Sequence, residues 1–195
     1  MLVFSLDHPV PWEHVFGDGR PVEVEIGAGR GERVLAAAAA CPMVNFFAIE
    51  IRAGSAQGIA DHAARRDLPN LRVVAGDVRW IIRLIADASV AAYHIHFPDP
   101  WPKTRHRERR LASPAFAGEI LRTLVPGGVV HIASDLEPVV AGFARALLSA
   151  GLVAVPEAAR PRGPKSWFEQ RYARKGTAYA RFVREAQEQR GSGSR

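Results

Sequence analysis

The sequence predicts an α/β domain built on a mostly parallel sheet with helices on both faces. Two observations carry this expectation. Short β-prone runs alternate with amphipathic, Ala-rich segments along most of the chain, and acidic or glycine-rich clusters fall where the β-prone runs end. Strand and helix repeated in this way argue for parallel strands joined by crossover helices.

Each element has a local reason. Val22 to Ile26 and Val44 to Ile49 are β-prone runs, and Glu32 to Cys41 between them is an Ala-rich helical segment, so the three make a βαβ unit. A second helix from about Ala53 to Arg66 leads into a third strand, Leu71 to Ala75. Val78 to Ala86 reads as helix. Val90 to Phe97 (VAAYHIHF) reads as a buried strand that ends where a series of prolines begins. Pro114 to Leu124 is a helix with Pro in its first turn, and Gly127-Gly128 start a fifth strand over Val129 to Ala133. Leu136 to Ser149 follows as a helix. Beyond Gly151, Leu152 to Val155 and Tyr179 to Val183 are expected to form an antiparallel pair, separated by a Pro- and Arg-rich loop at Arg160 to Lys165. One domain is expected over residues 1–189, with 1–20 as an N-terminal extension and Arg190 to Arg195 (RGSGSR) as a disordered tail.

The charge balance narrows the partners. Lys and Arg total 26 against 20 acids, a formal +6; removing Lys103 to Arg110 (five cations, one acid) and the two tail arginines leaves the remainder near neutrality. The surplus is therefore local, which suits an anionic partner at one surface. A single cysteine, Cys41, excludes an intramolecular disulfide and a Cys-rich zinc site and suits a reducing cytoplasm. Asp7, Pro9 and Pro11 interrupt the N-terminal segment where a signal peptide needs an apolar core, and no apolar run reaches membrane-spanning length. No metal is expected either, because His94 and His96 share one strand face without a third ligand in register, and His106 lies beyond the turn.

The most restrictive stretch is His96 to Arg110, HFPDPWPKTRHRERR. Pro98, Pro100 and Pro102 in alternation forbid a helix and hold Asp99 on a stiff loop just past a strand's C-terminal end. That is where open α/β sheets bind ligands. Lys103, Arg105, Arg107, Arg109 and Arg110 then crowd against a single Glu108, a natural seat for phosphates. The plain alternative is a capped strand followed by a solvated, charged helix start.

The first strand-to-helix junction, Glu25-Ile-Gly27-Ala-Gly29-Arg-Gly31, lets the chain turn sharply and lets a ligand approach the backbone. A dinucleotide fingerprint spaces its glycines G-x-G-x-x-G. The spacing here is G-x-G-x-G behind an acid, typical of S-adenosylmethionine sites, whose ammonium and sulfonium favour a nearby carboxylate such as Glu25. Glu50, at the end of the second strand, is placed to accept from ribose hydroxyls. Asp77, after the third, is placed to accept from an adenine amine or else to cap the following helix.

Together, VEIGAGRG (Val24 to Gly31), AIE (Ala48 to Glu50), Gly76-Asp77 and FPDPWPKTRHRERRL (Phe97 to Leu111) resemble the bacterial tRNA (guanine-N7)-methyltransferase family. Pro126-Gly127-Gly128, Ser134-Asp135 and Ser166 to Arg171 continue the match in order, over about Val22 to Arg184. The resemblance implies a Rossmann-like class I methyltransferase fold with seven strands, S-adenosylmethionine as cofactor, and methylation of a guanine in the tRNA variable loop. It assigns cofactor contacts to Glu25, Gly27, Gly29, Glu50, Asp77 and Asp99, with Asp99 also catalytic. Substrate contacts fall on Lys103, Arg105, Arg107, Arg109, Arg110 and Asp135, and on Ser166, Phe168 and Glu169 in a segment closing over the guanine. The chain departs from the family at Trp167, where a Lys is usual, at Tyr172, where a Gly is usual, and in the stretch Thr177 to Arg181.

The implied chemistry suits these residues. Guanine N7 carries an in-plane lone pair and no proton, so its methylation needs neither general base nor metal, only alignment and tolerance of spreading positive charge. Asp99 is expected to supply that tolerance, and Glu169 or Asp135 to accept from guanine N1–H and the exocyclic amine. Two other readings compete: a methyltransferase for a small molecule, which gives the clustered cations no role, and a non-catalytic RNA-binding module on the same fold.

Overall fold

The computed structural model describes residues 9, 11–101, 105, 110–155 and 176–185. In chain order it places β1 (Val22–Ile26), β2 (Asn45–Glu50), β3 (Leu71–Ala75), β4 (Val90–His96), β5 (Leu124–Ser134), β6 (Val153–Ala154) and β7 (Ala178–Val183) in one sheet. The strand order is β3-β2-β1-β4-β5-β7-β6. All pairings are parallel except those of β7, which runs antiparallel to both β5 and β6. The expected seven-stranded, mostly parallel sheet with an antiparallel C-terminal pair is therefore the observed one.

The helices are α1 (Trp12–Phe16), α2 (Glu32–Ala40), α3 (Ala53–Arg65), α4 (Val78–Ile81), α5 (Pro114–Thr123) and α6 (Glu137–Ala150). On one face α2 and α3 lay Val34, Leu35, Ala37, Ala38, Ile59 and Ala63 against Phe46, Ala48 and Leu71. Small alanines let these helices approach the strands closely. On the other face α5 and α6 pack Phe116, Ile120, Phe143 and Leu147 against Val24, Tyr93, Ile95, Val130 and Ile132. The Ser113 side chain caps α5 by accepting from Phe116 N–H at 3.3 Å, with Pro114 next to it in the first turn.

Three elements differ from the sequence expectation. Helix α1 was not anticipated; it seats Trp12 on Phe47, with ring centroids 5.1 Å apart, and stops at Gly17 with φ +83°. The helix expected from Val78 to Ala86 is α4 followed by a tighter 3-10 turn at Ile82–Leu84. There Arg122 donates to the carbonyls of Ile82 (3.0 Å) and Ile85 (2.9 Å), capturing groups that a longer helix would use internally. Strand β5 begins at Leu124 rather than Val129 because Pro126-Gly127-Gly128 lies inside it as an irregularity. Gly127 has φ +79°, and a Cβ on Gly128 would lie 2.8 Å from the Val125 carbonyl, so both positions require glycine.

Strand order reverses direction at β1, with the chain building outward through β2 and β3 on one side and through β4 and β5 on the other. Ile26 is in register with Ile95, so the loops leaving β1 and β4 start side by side. This switch point is the position at which open α/β sheets form a ligand crevice.

Candidate active site

The glycine loop after β1 turns its own donors inward. Gly27 and Ala28 N–H point at the Ile49 carbonyl (2.8 and 3.4 Å), Gly31 N–H at the Ala28 carbonyl (2.8 Å), and Gly29 N–H at Glu50 Oε2 (2.8 Å). Gly27, Gly29 and Gly31 all have positive φ. A Cβ on Gly31 would meet Ile59 at 2.7 Å, whereas one on the exposed Gly27 would meet nothing within 4 Å. Gly31 is thus a packing requirement and Gly27 leaves an open cradle at the crevice. With its N–H groups spent and Glu32 in the first turn of α2, this loop is poorly suited to phosphate. Carboxylates edge it instead, which suits a nucleoside carrying positive charge.

Glu50 ends β2 almost wholly buried; besides Gly29 N–H it takes Arg52 N–H at 3.0 Å and Arg52 Nε at 3.3 Å. Asp77 caps α4 by accepting from Arg79 N–H (2.9 Å), and Arg79 Nε lies 3.0 Å from both carboxylate oxygens. The Arg79 hydrogen bonds hold the Asp77 carboxyl below its ordinary value, so it stands ionised at the rim. The helix cap that the sequence offered for Asp77 is thus the observed one.

Glu25 is corrected in one respect. It is only 5% exposed and lies 2.9 Å from Arg33 of α2, itself 4% exposed. Burial pushes the Glu25 carboxyl up while the Arg33 charge pulls it back. Glu25 is thus not the lone acid read from the sequence: Arg33 faces it at the base of the loop and ties that base to α2.

Asp99 is exposed on the loop after β4. That loop is bracketed by two non-glycine residues in the left-handed region, Phe97 (φ +50°) and Trp101 (φ +38°). Such conformations cost on the order of 1 kcal/mol or more each and persist where the surroundings impose them. Here Phe97 N–H donates to the Ala133 carbonyl (2.7 Å) and Arg110 Nε donates to the Trp101 carbonyl (2.9 Å). Arg110 therefore braces the Pro-rich turn with one edge of its guanidinium. Asp135, half-buried after β5, stands on the same rim, while Arg105 is exposed beyond the turn. Lys103, Arg107, Arg109, Ser166, Phe168 and Glu169, like Trp167, Tyr172 and His106, lie outside the described residues.

Sequence reasoning missed Arg33, Arg52 and Arg79. The last two carry a legible signal, since each follows a strand-end acid by two residues (Glu50-Ile-Arg52, Asp77-Val-Arg79). It also missed His131, which is in register with His94 and stacks on it at 5.1 Å. Among the described residues, no three His, Cys, Asp or Glu side chains are grouped to hold a metal ion, and no helix is long and apolar enough to cross a membrane.

A family described as putative methyltransferase matches residues 19–182. A tRNA (guanine-N(7)-)-methyltransferase of Nitrosomonas europaea is 36% identical over 170 residues, 85% of this chain and 76% of that one. The chain belongs to the tRNA (guanine-N7)-methyltransferase family. Another relative of that name, from Streptomyces coelicolor, is 43% identical over 125 residues, 64% of this chain and 46% of its own length. The chain thus spans about half the length of some of the curated family members it matches. Among solved structures, a 16S rRNA methyltransferase, KamB, superposes with a TM-score of 0.69 at 17% identity, covering 90% of this chain and 93% of that one. At that identity the likeness establishes a shared Rossmann-like fold.

Proposed function

We propose that this chain is an S-adenosylmethionine-dependent enzyme that methylates N7 of a guanine in the variable loop of tRNA, working in the cytoplasm as one catalytic domain. The observation that carries the reading is the pairing, at the β1/β4 switch point, of an open glycine cradle edged by acids with an exposed Asp99 on a braced loop. The activity for which the family members above are named supports the choice of substrate atom.

S-adenosylmethionine supplies an electrophilic methyl group on a sulfonium. Gly27 leaves the room its body needs, and Glu50, held by Gly29 and Arg52, presents carboxylate lone pairs to the ribose hydroxyls. Asp77, at the next strand end, would accept from the adenine amine in competition with Arg79. Glu25 acts one step back, keeping the loop in place through Arg33. Asp99 lies where positive charge spreads into the purine as N7 takes the methyl group, and a carboxylate fixed beforehand stabilises that charge without reorganising. No proton leaves N7, so no base is required. Asp135 and Glu169 accept from the guanine edge, with Ser166 and Phe168 alongside. Lys103, Arg105, Arg107, Arg109 and the outer edge of Arg110 meet the phosphates.

Incubating the protein with unmodified tRNA and methyl-labelled donor tests this reading. Digestion should return the label as 7-methylguanosine from the variable loop. Label on another atom, or on a small molecule in preference to tRNA, would overturn it.

A further inference from the structure

Trp80 is 66% exposed on α4, immediately beyond the rim acid Asp77. A bare indole on a polar rim loses the stabilisation of burial, and nothing in α4 demands it, since Val78 and Ile82 anchor that turn to the core. The guanidinium carbon of Arg83 lies 5.0 Å from the Trp80 ring centroid, so a cation sits over the indole, which is still two-thirds exposed. The surrounding charges point the same way. Arg52 and Glu50 form a pair in which the Arg side chain is 70% exposed and the Glu side chain 5%, and in the Arg79–Asp77 pair the exposures are 46% and 22%. Acids are turned in and guanidinia are turned out. The rim beyond β2 and β3 therefore carries an exposed indole with Arg83 over it, Arg79 next to it in the chain, and Arg52 at the end of β2.

We propose that Trp80, with Arg83 over it and Arg79 next to it in the chain, stacks an unpaired nucleobase of the RNA substrate. The inference rests on the RNA-methylating reading above and adds a second contact surface, on the opposite flank of the cradle from Asp99 and the loop after β4. Three strand spacings, about 15 Å, separate β3 from β4, a span that a single-stranded stretch can bridge while its guanine sits beside Asp99. Stacking on an aromatic face is how proteins hold splayed, unpaired bases, and it tolerates any base identity. The donor's adenine is the competing occupant. An indole with a cation over it favours a polyanion over a cofactor that itself bears ammonium and sulfonium charges.

The test uses Trp80→Ala, Trp80→Phe and Arg83→Gln in the full chain, with tRNA affinity, donor affinity and 7-methylguanosine yield measured separately. Trp80→Ala should weaken tRNA binding about 5-fold or more, Trp80→Phe should retain most of it, and donor affinity should be unchanged in both. Arg83→Gln should weaken tRNA binding and lower its salt dependence. Indole fluorescence present in the wild type and absent from Trp80→Phe should be quenched by tRNA. Loss of donor affinity with intact tRNA binding assigns the ring to adenine and overturns the proposal, as does a Trp80→Ala variant that binds and methylates tRNA like the wild type. If the wild type binds tRNA through Trp80 but labels no N7, the methylation reading falls and the platform stands. If the wild type binds no tRNA, both fall.

Discussion

Strands β1, β4 and β5 are apolar on one face and ionisable on the other. Toward α5 and α6 they present Val22, Val24, Ile26, Tyr93, Ile95, Val130 and Ile132. On the opposite face a register row crosses the sheet as Glu25, His94, His131 and Arg181. Several of its members make specific contacts. His94 Nε2 lies 2.7 Å from Glu23 Oε2, the His94 and His131 rings stack with 6° between planes, and Arg33 meets Glu25. Apolar packing stabilises without fixing register, since one Val replaces another readily. A polar row with specific contacts favours one alignment, and in it the loops of β1 and β4 start side by side. The two faces thus divide the work, one supplying stability and the other supplying position.

The largest effect that would sharpen this contrast is at Arg33. Arg33→Met leaves the Glu25 charge buried and alone, and should cost about 3–5 kcal/mol in urea unfolding, while Glu25→Gln combined with Arg33→Met should recover much of the loss. A single mutant that is no less stable than the double would mean that Glu25 and Arg33 are not paired as described.

Acid should act on the polar face alone. Burial is the main cause that depresses both histidines, His94 well below its ordinary value and His131 from 6.5 to about 4, with Arg33 and His131 adding to it at His94, and Arg181 and Arg33 at His131. Both are therefore neutral in the folded protein at a pH where the unfolded chain already binds protons, so stability is full above about 6.5 and falls as pH drops toward the folded values. His131 alone should account for about 2 kcal/mol between roughly pH 7.5 and 5. His131→Gln should flatten that slope, and an unchanged slope would place the acid sensitivity elsewhere.

Asp99→Ala belongs to neither face. It should lower turnover on tRNA on the order of 100-fold, with unfolding free energy within about 0.5 kcal/mol of the wild type, as for an exposed loop residue. Matching losses in turnover and tRNA affinity would make Asp99 a binding group instead. The smallest effect is expected on the apolar face, where Ile120→Val should cost about 1 kcal/mol and leave both the pH slope and the methylation rate unchanged.

How much of this was legible in the chain follows the same division. The apolar face and its helices declare themselves through period-2 and Ala-rich patterns, and β1 and β3 end where the sequence ends them, at Ile26 and Ala75. The places of Glu50, Asp77 and Asp99 at strand ends were legible because each follows closely on an apolar, β-prone run. Glu25 was legible as an acid but not as half of a buried pair, because Arg33 reaches it through the docking of α2, a tertiary event. His131 escaped because strand register cannot be read from one strand at a time. Helix α1 was hidden by its five-residue length between Pro11 and Gly17, and the early start of β5 by a Pro-Gly-Gly sequence that ordinarily signals a turn.

The inward-facing amides of Gly27, Ala28, Gly29 and Gly31 bear on which nucleotides this loop can hold. ATP and the nicotinamide dinucleotides share a nucleoside with the methyl donor and greatly outnumber many cofactors in a cell, yet their pyrophosphates find no welcome at this loop. Three of these four amides are engaged by main-chain carbonyls, so a change of side chain would leave them turned inward.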